Sequence, residues 1–127
     1  MMIRLAIFLV FLGLWTWKLL EPYPVPEELR DGLERAGLGF VAAKSLHAAG
    51  YAFLTILAFT LPVPRRWRWF LVVALACHGV ATEIGQSFVP NRTGRVRDVL
   101  IDWFGIGLGL LAVRAWPRSY DEPRART

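Results

Sequence analysis

Four apolar runs divide the chain, and short polar segments separate them. The hydrocarbon core of a bilayer takes about 20 helical residues to cross, and each run is close to that length. The pattern places spans at about 3–20, 40–61, 67–89 and 99–116, with a polar tail over 117–127. Arg4 and Lys18 bracket the first run and sit where long cationic side chains reach outward to water. Its basic start and apolar middle resemble a secretory leader, but KLLEPYP follows with no small-x-small cleavage pattern, which predicts a retained span. Pro62 and Pro64 stop the second run. The segment from Glu21 to Gly39 opens on PYPVP, an extended path. Beyond Pro26, Leu29, Leu33 and Ala36 recur at helical spacing, and Gly37 and Gly39 mark an end. The expectation is an all-α membrane bundle of four transmembrane helices, with a short interfacial helix between the first two, in a single domain spanning 1–127.

A hydrophobic fraction of 55% belongs with that class, because it comes from long runs and not from scattered positions. The net charge of +5 is spread over loops and tail, a matter of membrane topology and not of nucleic-acid binding. The turn PVPRRWRW, with Arg65, Arg66 and Arg68 beside two tryptophans, reads as a cytoplasmic anchor with an aromatic belt. Both termini then fall on the cytoplasmic side. The lone Cys77 excludes an internal disulfide and is expected to be a small filler of the core.

Charged residues inside such runs need a reason, since each costs about 2.5–3.5 kcal/mol on insertion scales. Lys44, His47 and Tyr51 share one helical face near the start of the second span. Gly79, Thr82, Glu83 and Gln86 cluster near the end of the third, with Glu83 about 9 Å below Val89 at 1.5 Å per residue. Asp98 and Asp102 open the fourth, one turn apart. All these positions converge on one layer at the outer face. His78 is rotated about 140° from Glu83 and is expected to stand apart.

The patterns K-x-x-H-x-x-x-Y at Lys44, His47 and Tyr51, E-x-x-Q-x-F-x-P-x-R from Glu83 to Arg92, and D-V-x-x-D-x-x-G from Asp98 to Gly105 resemble the VanZ-like family, with the likeness running from Lys44 to about Gly109. These are small bacterial membrane proteins, named for a member linked to teicoplanin resistance. The family usually has Asn where this chain has Asp102. The resemblance implies a multi-pass protein of the bacterial cytoplasmic membrane with a contribution to glycopeptide resistance, and the polar layer itself suits membrane lipids and a lipid-linked envelope precursor as partners.

Two chemistries suit the polar layer. In the first, an outer pocket binds an anionic headgroup through Lys44 and Arg92, with Tyr51, Gln86 and Asp102 as further contacts. In the second, an enzyme acts on a lipid phosphate or glycan, with Glu83, His47 and Asp98 as acid-base groups. No metal-ligand set is assigned and the cofactor is left open, although Asp98 and Asp102 have the spacing of paired oxygen ligands for a divalent cation. A third reading is a purely structural network pairing Glu83 with Lys44 or Arg92. No nucleophile-elbow pattern surrounds Ser45, Ser87 or Thr93, which argues against a serine hydrolase. Gly105 and Gly109 form a small-residue face for packing inside the bundle.

Overall fold

A computed structural model describes residues 2–116 as five helices: α1 (Met2–Leu20), α2 (Glu27–Arg35), α3 (Gly39–Thr60), α4 (Arg65–Gln86) and α5 (Val96–Ala115). The tail expected over 117–127 lies outside the described residues. By length and composition α1, α3 and α4 are apolar enough to cross a membrane. The 20-residue α5 is as long as α1, but Arg97, Asp98, Asp102 and Arg114 lower its apolar character. The third long helix ends at Gln86, three residues before the expected Val89. Ser87 to Asn91 turns instead, and Asn91 takes a left-handed backbone at φ 61°.

The short helix α2 starts after Pro26, with Glu27 and Glu28 in its first turn, where the helix dipole favours anions. It closes in a Schellman motif. Gly37, at φ 69°, donates to the Glu34 carbonyl, and Leu38 donates to the Leu33 carbonyl at 2.8 Å.

The four long helices alternate in direction. Arg4 reaches the Thr60 carbonyl at 3.1 Å, so the start of α1 lies at the end of α3 and places a cation on a helix C-terminus. Helices α3 and α5 therefore run parallel, and their contact is the most extensive in the molecule. Glycines permit it. A Cβ at Gly109 would come 2.6 Å from the Ala52 carbonyl oxygen, and one at Gly105 would meet the Ala48 backbone at 2.8 Å from Cα. On the other side, the Trp15 ring of α1 fills the place a side chain at Gly50 would need.

The interior is narrow. Phe8, Trp15, Leu19, Leu54, Leu75 and Ile106 are among its buried apolar residues. Many large side chains face outward, including Val10, Phe70, Phe104 and Leu111. A water-soluble protein of this size does not expose so continuous an apolar surface, whereas lipid tails solvate it at no cost. Cys77 is on that outer surface. This corrects the expectation of a core filler: the inward face of α4 is set by Leu75, Gly79, Thr82 and Gln86, and Cys77 points the other way.

Candidate functional site

The parallel register of α3 and α5 aligns their polar residues in pairs. Lys44 Nζ donates to Asp98 Oδ1 at 2.5 Å, and one turn further in His47 Nδ1 donates to Asp102 Oδ1 at 2.9 Å. Asp102 is fully buried, and Asp98 and His47 are nearly so. The two aspartates thus serve different partners, and they do not form the paired cation site that their spacing suggested.

Glu83 enters from α4, 4% exposed. It pairs with neither Lys44 nor Arg92. Its Oε2 accepts the backbone N–H of Arg95 at 2.9 Å, so the incoming loop is fastened to the helix it has just left. Gly94 makes that approach possible, because any Cβ there would collide with the Glu83 carbonyl. His47, Glu83 and Asp102 each offer a ligand atom, and these atoms lie within 4.8 Å of one another. Two carboxylate oxygens of this group, Glu83 Oε1 and Asp102 Oδ2, are buried with no hydrogen-bond partner among the described residues.

Below this trio runs a second chain of hydrogen bonds. Tyr51 Oη lies 2.9 Å from His78 Nδ1, and His78 Nε2 lies 2.8 Å from Thr16 Oγ1. Thr16 donates its hydroxyl hydrogen to the Leu12 carbonyl at 2.7 Å. Its oxygen therefore accepts from His78 Nε2–H, which leaves Nδ1 to accept from Tyr51. For a neutral imidazole, this arrangement defines the tautomer of His78. His78 does stand apart from Glu83, yet it belongs to the polar interior through Tyr51. The signal was the Tyr51–His78 pairing across helices, which spacing along one helix does not reveal. Thr82 was placed on the polar face of its helix by spacing, but Thr16 and the Arg95 amide were not foreseen, since a threonine in an apolar run and a backbone N–H carry no pattern of their own.

Gln86 and Arg92 meet at another place. Gln86 Nε2 and Arg92 Nη2 both donate to the Leu19 carbonyl, at 3.0 and 3.1 Å. They satisfy an end of α1 that has no intrahelical donor. Arg92 also lines a cavity of about 550 Å³ between α2, the PYPVP segment and the start of α3. Its walls are mainly apolar, with Leu29, Leu33, Phe40 and Leu46 facing Arg30 and Arg92. Lys44 does not line it, being held by Asp98. Of the expected site residues, Lys44, His47, Tyr51, Glu83, Asp98 and Asp102 gather in the bundle, while the buried Gln86 and the partly exposed Arg92 turn to the end of α1.

No curated protein and no solved structure matches the chain. A family model described as VanZ/LLP1 matches residues 8–117, from within α1 to just past α5 and well beyond the three motifs. With its motif residues gathered on α3, α4 and α5 and its apolar helices of membrane length, the chain is a membrane protein of the VanZ/LLP1 family.

Proposed function

We propose that the protein binds the anionic headgroup of a lipid or lipid-linked envelope component at the outer face of the bacterial cytoplasmic membrane. In this reading α5 is the fourth span and α2 lies in the interface, with both termini cytoplasmic. The observation that carries it is the cavity of about 550 Å³, whose mainly apolar walls hold two arginines, Arg30 and Arg92, against one glutamate, Glu34. An acyl or isoprenoid chain suits apolar walls, and a phosphate suits the planar fork of arginine. Arg92 spends one donor on the Leu19 carbonyl and retains others. Leu29 and Leu33 on one side and charged residues on the other give α2 the amphipathic character of a helix lying in the interface. Sequestering an envelope component in this way would connect the site to the glycopeptide resistance for which the family is named.

An enzymatic reading is favoured by one feature, the buried His47–Asp102 pair with Glu83 beside it, which has the composition of an acid-base centre. The two readings part on one experiment. The purified protein in nanodiscs of phosphatidylethanolamine is offered phosphatidylglycerol or undecaprenyl phosphate, and co-purifying lipid is counted by mass spectrometry. The expected result is retention of the anionic lipids over the zwitterionic one, lost in Arg92→Gln and kept in Glu83→Gln. Equal retention by parent and Arg92→Gln would remove the headgroup reading. Release of phosphate by the parent but not by Glu83→Gln would establish the enzyme.

A further inference from the structure

We propose that His47, Glu83 and Asp102 form a binding site for one divalent transition-metal ion, of the Zn2+ or Mn2+ kind, inside the bundle. The site differs from the headgroup cavity in place and in chemistry. It also differs from the Asp98–Asp102 pairing, because Asp98 is already taken by Lys44.

Ion geometry supports the trio. An imidazole nitrogen and two carboxylate oxygens lie within 4.8 Å of one another. Around an ion with bonds of about 2.0–2.2 Å, ligand atoms stand about 3–4 Å apart, so rotamer adjustments close the set without moving a helix. The three residues come from three helices, α3, α4 and α5, as ligands of bundle sites usually do. One imidazole with two carboxylates suits borderline ions and leaves a coordination position open.

The second observation is independent of that clustering. Glu83 is 4% exposed and Asp102 0%, and each has one oxygen with no hydrogen-bond partner among the described residues. A buried carboxylate normally has its lone pairs met, and two unmet oxygens in one cluster ask for a shared positive species. The nearby cations do not supply it. Lys44 is on Asp98, and Arg92 is on the Leu19 carbonyl. The Tyr51 hydroxyl does not supply it either, since its hydrogen goes to His78. Space beside Asp102 is kept open by Gly79, where a Cβ would stand 3.2 Å from Oδ2. An ion would neutralise both carboxylates together.

The full chain, freed of any affinity tag and stripped with chelator in detergent, is titrated with Zn2+ and Mn2+ by calorimetry, and bound metal is counted by mass spectrometry. One ion per chain is expected, with a higher unfolding temperature. Glu83→Gln and Asp102→Asn should each weaken binding by more than about 100-fold, beyond what loss of an outer-shell partner does. Arg92→Gln should bind the ion as the parent does, which separates this site from the headgroup reading. Because a variant can fail to fold, Co2+ loaded into the parent gives a second measurement, with visible bands characteristic of four- or five-coordinate nitrogen and oxygen ligands. No bound ion, response to Mg2+ only, or binding that survives both substitutions would each overturn the site. In the first case a proton held between the two carboxylates takes the ion's place.

Discussion

The Lys44–Asp98 pair is asymmetric in a way that its distance hides. The lysine side chain is 20% exposed and the aspartate 8%, so the two ends differ in what they do when left alone. Asp98→Asn frees an ammonium that bends toward water, and unfolding should shift by less than about 1 kcal/mol. Lys44→Met leaves a buried carboxylate unpaired, and destabilisation of about 3 kcal/mol is expected. Glu83→Gln belongs with the mild changes, because a glutamine carbonyl still accepts the Arg95 N–H and the repulsion from nearby aspartates is gone. Thermal unfolding of the chelator-stripped proteins in detergent ranks the three. If Glu83→Gln unfolds as early as Lys44→Met, Glu83 holds the bundle together and its functional role should be given up.

At the scale of elements, the packing of α3 on α5 depends on which glycine is touched. Gly105 lies against the Ala48 backbone, whereas a Cβ at Gly107, two residues on, would meet nothing within 4 Å among the described residues. Gly105→Ala should destabilise by about 1–3 kcal/mol, since the backbone it meets cannot step aside. Gly107→Ala should be neutral or stabilise by up to about 1 kcal/mol, through helix propensity alone. Equal losses for both would show that helix flexibility, and not close approach, is what these glycines supply. The elements themselves were legible because apolar runs of membrane length have few alternatives. Their ends were less so. Val89 looked like a helix end, yet the chain turns from Ser87 because Glu83 and Gly94 draw the next loop back onto α4. Such a tertiary contact leaves no trace in local hydropathy. The gathering of Lys44, His47, Glu83, Asp98 and Asp102 was readable, since charges in apolar runs must find one another. Their pairing was not, because the register between α3 and α5 is set by Ala48 and Ala52 seated on Gly105 and Gly109.

For the whole molecule, the alternating helices put the Arg65–Arg68 turn at one end and the Thr93 loop at the other. Single cysteines at Arg66 and Thr93, in a Cys77→Ala background, test the orientation with a membrane-impermeant thiol reagent. Both positions are exposed, so access depends only on the side of the membrane. Labelling in intact cells is expected at 93 and not at 66, and the reverse would put the polar layer on the inner face.

The parallel pairing of α3 with α5 also constrains the order of events during synthesis. The two helices that share the most contact are not neighbours in sequence, and α4 must be threaded between them first. Until α5 emerges, Lys44 and His47 wait in the membrane without their carboxylates. Helix α5, for its part, carries two aspartates on inward faces and is the long helix with least claim to enter lipid unaided. With α5 as the fourth span, each half would complete the other's insertion. In the four-span topology proposed above, the polar layer is, in the nascent chain, the latch that would admit α5.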